Sequence, residues 1–167
     1  MNNDVIKFEK FLSDDERHIV KQESDKGRWE LSGHSLDIPE SRTFWYKDLM
    51  HLSAIIDIFT DKVETHFDRK IRVNRVYANG QAHGQCGLFH QDTPGCQYSL
   101  VYYPHTFWKP EYGGHLLIRG LDLELHSIWP EPNSAVLFRS DLWHCPLEPT
   151  VHCKTQRESI AFKFSLL

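Results

Sequence analysis

The sequence has no long hydrophobic run, no paired-cysteine motif and no basic cluster, and each absence argues against a class of protein. None of its apolar stretches approaches the roughly 20 residues that a membrane-spanning helix needs. The start of the chain lacks the charged and apolar regions of a secretory signal. The four cysteines show no Cys-x-x-Cys spacing, which argues against a zinc or thioredoxin-like redox motif. We therefore expect a protein of a reducing compartment, the cytoplasm, with no membrane partner.

Basic residues are few and dispersed. The chain has 19 Lys and Arg against 23 Asp and Glu, a net charge of −4. Proteins that bind nucleic acids usually carry a basic patch that displaces counterions from the phosphates. The densest basic grouping, Asp68–Arg72, is interpreted as a helix end where positive charge complements the helix dipole. We therefore do not expect a nucleic-acid partner.

Helical signals are confined to the first part of the chain. The pattern Ser13-Asp14-Asp15-Glu16 is a capping box, which predicts a helix that starts there and ends near Gly27. Residues 28–44 are interpreted as a loop or a short edge strand. Between Lys47 and Phe67 apolar residues recur at helical spacing and predict a second helix that covers the main sheet.

Beyond residue 70 the pattern changes to alternation between apolar and polar residues. Leucines at 121, 123 and 125 alternate with polar residues and predict a half-buried strand. Glycine and proline divide the remaining sequence into many short segments. Many short strands between such turns indicate a β-sandwich or a β-barrel.

The most informative motif is His90-Gln91-Asp92, which is followed much later by His144. Successive side chains of a strand point to opposite faces, so His90 and Asp92 face the same way and could hold one metal ion. Two imidazoles and one carboxylate can bind one face of Fe(II) and leave three positions open, which is typical of non-heme iron oxygenases. The motif alone is weak evidence, because the chain has 11 histidines.

A strand beginning at Arg157 strengthens the interpretation. Arg157, Ser159, Ala161 and Lys163 alternate with apolar residues and share one face. A guanidinium beside a small hydroxyl residue suits a carboxylate, which it binds with two parallel hydrogen bonds. Downstream of a candidate iron ligand, we expect Arg157 to face inward and bind an anion.

From about Arg72 to Phe164 the chain resembles the 2-oxoglutarate/Fe(II)-dependent dioxygenases, and among them the prolyl 4-hydroxylase-like branch. Five blocks carry the resemblance in the order found in the family: Arg75-Val76-Tyr77-Ala78-Asn79-Gly80, Phe89-His90-Gln91-Asp92, Tyr98-Ser99-Leu100-Val101-Tyr102-Tyr103, Tyr112-Gly113-Gly114-His115-Leu116-Leu117-Ile118 and Pro132-Asn133-Ser134-Ala135-Val136-Leu137-Phe138. Their order is more specific than any single block.

The resemblance implies a mainly β (α+β) fold, with a double-stranded β-helix (jelly-roll) core flanked by N-terminal helices. It implies one domain over residues 1–167, with a helical flank at 1–70 and the jelly-roll core at 71–167. It also implies Fe(II), 2-oxoglutarate and O2 as cofactors, with ascorbate as a candidate reductant.

The same resemblance assigns roles to residues. His90, Asp92 and His144 would be the metal ligands and the catalytic set. Arg157 would bind the far carboxylate of 2-oxoglutarate, assisted by Ser159 or by a tyrosine, either Tyr103 or Tyr77; packing in the core explains either tyrosine equally well. Residues expected to add to a substrate surface are Trp108, Tyr112, Trp143 and Arg119.

The substrate stays open at this point. The expected reaction is hydroxylation of a C–H bond, most often a prolyl residue of a peptide or protein in this branch, with succinate and CO2 as co-products. A free amino acid or another small molecule is the alternative, and a nucleobase is a third. A non-catalytic jelly-roll binding module is the alternative from another class. Two departures from the family bear on the choice: His115 replaces an acidic residue after the Gly-Gly pair, and Arg157 stands where many relatives have lysine.

Overall fold

The computed structural model describes residues 4–92 and 94–167, which form two β-sheets and two α-helices. The strands are β1 (Val5–Phe8), β2 (Glu30–Gly33), β3 (Phe44–Asp48), β4 (Ile71–Gln81), β5 (Tyr98–Tyr102), β6 (Leu116–Arg119), β7 (Leu125–Ile128), β8 (Ala135–Arg139), β9 (His144–Pro146) and β10 (Arg157–Leu166). The helices are α1 (Asp14–Lys26) and α2 (Ser53–Phe67), and a short 3-10 helix covers Pro110–Tyr112. Within the described residues, neither α-helix is long and apolar enough to cross a membrane.

The two sheets are antiparallel and differ in size. Seven strands form the large sheet in the order β1-β8-β5-β10-β4-β3-β2, and three form the small sheet in the order β7-β6-β9. Strand β10 lies in the middle of the large sheet, between β5 and β4. Strand β10 is therefore paired with β4 from Arg157 onward and with both neighbours from Ile160 to Phe164.

The main hydrophobic core lies between the outer face of the large sheet and the helices. Apolar residues of α2, among them Ile55, Phe59 and Val63, pack against Phe162 and Phe164 of β10. The ring of Phe59 is fully buried and contacts other aromatic rings edge-on, including that of Phe162. Helix α2 thus fixes the central strand from behind and leaves its other face free for the site.

A second, smaller core joins the two sheets. Leu116 and Ile118 of β6 pack with Val136 and Phe138 of β8. This contact closes one end of the space between the sheets, so the remaining inner face of the large sheet borders a cavity.

The capping box is confirmed. The Ser13 hydroxyl accepts a hydrogen bond from the Glu16 N–H, and the Glu16 carboxylate accepts one from the Ser13 N–H. Helix α1 ends at Lys26 with Gly27 as its C-cap, as predicted.

The first 70 residues contain more β-structure than expected of a helical flank, because β1, β2 and β3 all join the large sheet. The second helix starts at Ser53, and Lys47 belongs to β3. The aromatic segment Phe44-Trp45-Tyr46 favours a strand, and pairing with β4 secures it.

The strand predicted across Leu121, Leu123 and Leu125 is wrong. Gly120 starts a tight turn there, Leu123 has a positive φ of 68°, and β7 begins only at Leu125. Asp122 stabilises the turn by accepting a hydrogen bond from the Glu124 N–H. The three leucines are more than half exposed, so their alternation does not reflect burial.

Replacing Phe59 with alanine tests the packing of α2 on the large sheet. Phe59→Ala should lower the free energy of unfolding by about 3–5 kcal/mol, because it leaves a cavity in a closed aromatic cluster. Urea unfolding followed by circular dichroism measures the change. Phe107→Ala is the control, since that ring is 62% exposed and its loss should cost no more than about 0.5 kcal/mol. Equal losses in the two variants would contradict this description of the core.

Candidate active site

A cavity of about 350 Å³ lies between the two sheets. Its floor is the inner face of β4 and β10, where Arg157, Ser159, Ala161 and Lys163 line it on alternate positions. The intervening residues Ile160, Phe162 and Phe164 pack into the core on the opposite face. The alternation predicted for the last strand is therefore confirmed.

The structure brings His90, Asp92 and His144 together at one wall of this cavity. One ligand atom from each residue lies within 4.8 Å of the others. His90 pairs with His144, the first residue of β9, through reciprocal backbone hydrogen bonds of 2.9 Å. Asp92 continues this pairing by donating its N–H to the Ser140 carbonyl, although residues 90–92 form no regular strand. The same-side geometry expected of a His-x-Asp motif thus arises from a short bridged segment.

Both imidazoles present the same nitrogen to the cavity. Nδ1 of His90 lies 2.9 Å from the Leu88 carbonyl oxygen, and Nδ1 of His144 lies 3.0 Å from that of Leu142. A carbonyl oxygen only accepts, so each Nδ1 carries the proton and each Nε2 keeps its lone pair. The Nε2 atoms lie 3.7 and 3.5 Å from the Asp92 carboxylate oxygens. Two lone pairs and one carboxylate therefore converge on one point, as a divalent metal ion requires.

Burial keeps the two rings neutral. It lowers the pKa of His90 and brings the pKa of His144 to about 4. Neutral imidazole is the form that binds metal. The site is thus prepared for a cation at neutral pH.

Lys163 holds the Asp92 carboxylate in place. Its ammonium group forms an ion pair with Asp92 Oδ1, and the Ser99 hydroxyl donates to Oδ2 over 2.6 Å. Burial alone would raise the pKa of Asp92, but Lys163, His144 and Ser99 together lower it below its usual value. The carboxylate is therefore charged and fixed before any metal arrives.

Arg157 is almost completely buried at the other end of the cavity floor. Its Nε donates to the Gly114 carbonyl over 2.5 Å, and Nη1 donates to Gln81 Oε1 over 3.0 Å. Gly114 has a φ of +74°, and a Cβ there would lie 2.9 Å from Arg157 Cδ. The Gly-Gly turn is thus required for the arginine to occupy this position.

Two buried hydrogen-bond donors near this end are unsatisfied: one on Arg157, which lines the cavity, and one on Tyr103, which is fully buried and is not among the lining residues. Among the described residues, neither Arg157 Nη2 nor the Tyr103 hydroxyl has a hydrogen-bond partner. The Arg157 guanidinium lies 5.4 Å from the Tyr103 ring centroid, so the two groups are neighbours. Burial raises the pKa of Tyr103, which keeps its hydroxyl protonated. Unsatisfied buried donors are costly, and a carboxylate oxygen is the acceptor that suits such a pair.

The other predicted residues are placed differently. Tyr77 lines the cavity, and its ring centroid lies 5.2 Å from the Lys163 ammonium and 4.6 Å from the Arg75 guanidinium. Trp108, expected on an exposed aromatic loop, is 3% exposed and donates its Nε1–H to the Gly113 carbonyl. Its ring packs on His105, so it supports the loop and does not form a binding surface.

Three further candidates lie outside the cavity that the described residues enclose. Tyr112 packs edge-on against Trp108 in the 3-10 helix. Arg119 is exposed on β6, and Trp143 is half exposed next to His144. Arg119 and Trp143 are neighbours, since the Arg119 N–H donates to the Trp143 carbonyl, and Trp143 directly precedes His144 along the chain.

The sequence did not reveal that Lys163 and Ser99 contact Asp92. It also did not reveal that Gln81 contacts Arg157 or that Arg75 lines the cavity. The alternation of the last strand placed Lys163 on the same face as Arg157, and this is the signal from which its position in the site could have been predicted. Its partner could not be found in the same way, because the contact depends on the register that sets Lys163 opposite Ser99.

Comparisons with known proteins agree with this geometry. Residues 59–164 match the family model of the 2OG-Fe(II) oxygenase superfamily. One similar structure is that of a prolyl hydroxylase from Trichoplax adhaerens, solved with a peptide fragment of the hypoxia inducible factor oxygen degradation domain. Its TM-score is 0.77 and its sequence identity 16%, and the match covers 97% of this chain and 83% of that one. Another is an oxidoreductase of the 2OG-Fe(II) oxygenase family from Burkholderia pseudomallei, with a TM-score of 0.79 and 11% identity. The match covers 98% of this chain and 85% of that one.

The viral collagen prolyl hydroxylase from Paramecium bursaria Chlorella virus-1, solved with 2OG, has a TM-score of 0.70 and 16% identity, over 96% of this chain and 95% of its own. No curated protein sequence matches this chain. Identities this low establish likeness of fold. The structural similarity to these proteins confirms the predicted mainly β fold, a jelly-roll core with flanking helices.

A double-mutant cycle tests the ion pair at the candidate metal ligand. In metal-free protein Lys163→Met should cost about 3 kcal/mol, because it leaves the buried Asp92 charge without a partner. In an Asp92→Asn background the same change should cost less than about 1 kcal/mol. The coupling energy, from urea unfolding of the four proteins, should therefore be about 2 kcal/mol or more.

The exposed pair Lys7–Glu131 is the control for that cycle. Its charged atoms lie 2.7 Å apart, but both side chains are more than a third exposed. The analogous cycle should give a coupling of no more than about 1 kcal/mol. Equal coupling energies for the two pairs would show that Lys163 does not stabilise the Asp92 carboxylate.

Proposed function

Because this chain belongs to the 2OG-Fe(II) oxygenase superfamily, we propose that it hydroxylates a C–H bond at the cavity between the two sheets, with a prolyl residue of a peptide or protein as the first candidate target. The protein is an oxygenase, and its family uses Fe(II), 2-oxoglutarate and O2. The residue roles and the target are the proposal. The single observation that carries it is the convergence of His90, Asp92 and His144 in a cavity whose other end holds a buried arginine with a free donor.

His90, Asp92 and His144 would hold Fe(II) through the two Nε2 atoms and the carboxylate. Support comes from the orientation of both rings, which the Leu88 and Leu142 carbonyls fix through Nδ1. Hydrogen bonds to the outer nitrogen of a ligating histidine set its tautomer and direction. Three protein ligands leave room for a co-substrate and dioxygen.

Arg157 and Tyr103 would bind the far carboxylate of 2-oxoglutarate. The free Nη2 and the free hydroxyl are buried together, and the Gln81 and Gly114 contacts prevent the guanidinium from turning away. A preorganised donor pair loses little conformational entropy on binding. Ser159 lines the same part of the cavity and is a further candidate donor. Tyr77 lines the cavity beside Lys163 and is the second tyrosine candidate.

When bound, Fe(II) and 2-oxoglutarate supply the oxidation, in which the co-substrate and O2 become succinate and CO2 and one oxygen atom enters the substrate C–H bond. The protein binds, orients and excludes water. Lys163 and Ser99 keep the Asp92 carboxylate charged and pointed at the metal position. Val101, Leu116 and Ala161 give the cavity apolar walls, which limit water near the reacting carbon.

The prolyl target is supported by likeness to prolyl hydroxylases, one of them solved with a peptide. A cavity of about 350 Å³ is at the small end of the range for ligand sites, roughly 300–1,000 Å³. It would accept 2-oxoglutarate and one inserted residue, or 2-oxoglutarate and a small molecule. A free amino acid or another small molecule is the second candidate, favoured by the cationic side chains of Arg75, Arg157 and Lys163 that line the cavity. We also propose a reducing compartment such as the cytoplasm, since all four cysteines are free thiols.

Asp92→Ala tests the metal ligands. Loss of the one anionic ligand should abolish Fe(II) binding at micromolar concentration and, with it, the formation of succinate from 2-oxoglutarate. Anaerobic equilibrium dialysis measures the iron and chromatography the succinate. Asp57→Ala, an exposed position on α2, is the control and should leave both unchanged. Full turnover by the Asp92→Ala variant would show that the carboxylate ligand lies elsewhere.

Tyr103→Phe tests the co-substrate site without disturbing the fold. Removal of an unsatisfied buried hydroxyl should leave the free energy of unfolding unchanged or raise it slightly. The affinity for 2-oxoglutarate should fall by about 2- to 10-fold, the value of one hydrogen bond. Titration of the Fe(II) protein under anaerobic conditions, followed by its visible charge-transfer band, measures this affinity.

Tyr102→Phe is the matched control for Tyr103→Phe. The Tyr102 hydroxyl lies on the outer, helix-covered face and donates to Asn133 Oδ1 over 3.3 Å. Its loss should lower stability and leave 2-oxoglutarate affinity unchanged. If Tyr103→Phe lowers stability and keeps the affinity, Tyr103 is a packing residue.

A further inference from the structure

Arg75, an exposed residue of β4, lines the cavity with part of its side chain and has no assigned role in binding iron or 2-oxoglutarate. In the register of the sheet it lies directly opposite Lys163. Two like charges at facing positions of an antiparallel pair are destabilising unless something compensates for them. Lys163 has Asp92 as its partner, which leaves Arg75 as the unpaired cation of the two.

Aromatic rings hold the Arg75 guanidinium in place. Its Cζ lies 4.6 Å from the Tyr77 ring centroid and 5.5 Å from that of Tyr46. Nη2 also donates to the Tyr46 hydroxyl over 3.4 Å, a long hydrogen bond. These contacts orient the planar group and leave most of its five N–H donors free.

Within the described residues, no carboxylate lies within 4.0 Å of Arg75. Asp48, on the neighbouring strand opposite Tyr77, is exposed and accepts a hydrogen bond from the Met50 N–H. An arginine fork that is oriented by two rings and faces a cavity is a preformed site for a planar anion.

The charge balance of the cavity leads to the same conclusion. Three cationic side chains line it, those of Arg75, Arg157 and Lys163, and Asp92 is the one carboxylate that lines it among the described residues. Fe(II) and doubly charged 2-oxoglutarate cancel each other, so an excess of two positive charges persists after both bind. A partly enclosed cavity of one sign attracts a ligand of the other sign.

We propose that the substrate carries a carboxylate that binds Arg75 while its reacting C–H bond lies at the metal site. This inference rests on the proposed function and narrows its substrate class. Arg75 faces Lys163 across the strand pair, and Lys163 contacts the candidate ligand Asp92. The carboxylate and the reacting carbon would therefore lie close together in the substrate, within one residue or on adjacent residues. Two sources have this chemistry: the α-carboxylate of a free amino acid, and an acidic side chain next to the hydroxylated residue of a peptide.

Binding to the inert Zn(II)–2-oxoglutarate complex, measured by calorimetry, separates these sources. The first arm uses the 20 free amino acids and their N-acetyl derivatives, each compared with the corresponding α-amide. The second arm uses capped tetrapeptides that place Asp or Asn beside proline. In at least one arm the carboxylate form should bind about 10- to 100-fold more tightly than its neutral partner, the range expected for a charge-assisted hydrogen bond.

Arg75→Gln should remove that preference and leave the neutral partner's affinity unchanged. Arg72→Gln is the matched control, because Arg72 is likewise exposed on the same strand but does not line the cavity. Its carboxylate preference should equal that of the parent. A preference that survives in Arg75→Gln, or no preference in any pair, overturns the inference.

The charge-transfer band of the Fe(II) protein with 2-oxoglutarate distinguishes this failure from a failure of the proposed function. A protein that forms the band but shows no carboxylate preference overturns the inference alone. A protein that forms no band overturns the proposed function from which the inference starts.

Discussion

The buried Asp92 carboxylate is the constraint on which the rest of the site depends. A carboxylate at this depth is costly unless charged partners compensate for it. Lys163 from the centre of the large sheet and Ser99 from its neighbour β5 compensate for it directly. The two imidazoles approach it through Nε2 because backbone carbonyls bind their other nitrogens. The central strand β10, the segment from His90 to Asp92, and His144 therefore meet at a single charged group, the Asp92 carboxylate. Helix α2 secures the strand from behind through the aromatic core.

The opposite end of the cavity also holds a buried charge, but a positive one. Arg157 is a buried cation whose neighbours satisfy two of its nitrogens and leave the third free beside the Tyr103 hydroxyl. The Gly-Gly turn makes room for it, since a side chain at Gly114 would meet its aliphatic part. One end of the cavity thus suits a divalent cation and the other a carboxylate. A keto acid that chelates the metal and extends to the arginine would satisfy both ends.

The sequence predicted those parts of the molecule that local pattern determines. The capping box at Ser13 and Glu16 placed the first helix, and alternation in the last strand placed Arg157 and Lys163 on one face. Resemblance to a known family supplied the jelly-roll topology, which alternation alone could not. The misplaced elements are those decided by tertiary contacts. The leucines from Leu121 to Leu125 alternate as a strand would, but Gly120 and Asp122 form a turn. Trp108 looks like a surface aromatic, yet its N–H finds the Gly113 carbonyl and its ring is buried.

The measurement that tests this account most directly is an anaerobic titration of the Fe(II) protein with 2-oxoglutarate, in the parent and in Arg157→Met. The parent should develop the visible band of keto-acid chelation. The variant should bind Fe(II) as the parent does, because no part of Arg157 touches the metal ligands, but should need about 10- to 100-fold more 2-oxoglutarate to form the band. Equal 2-oxoglutarate affinity would place the carboxylate away from Arg157. Loss of iron along with the co-substrate would mean that Arg157 serves the fold, and would contradict a cavity with two separate ends.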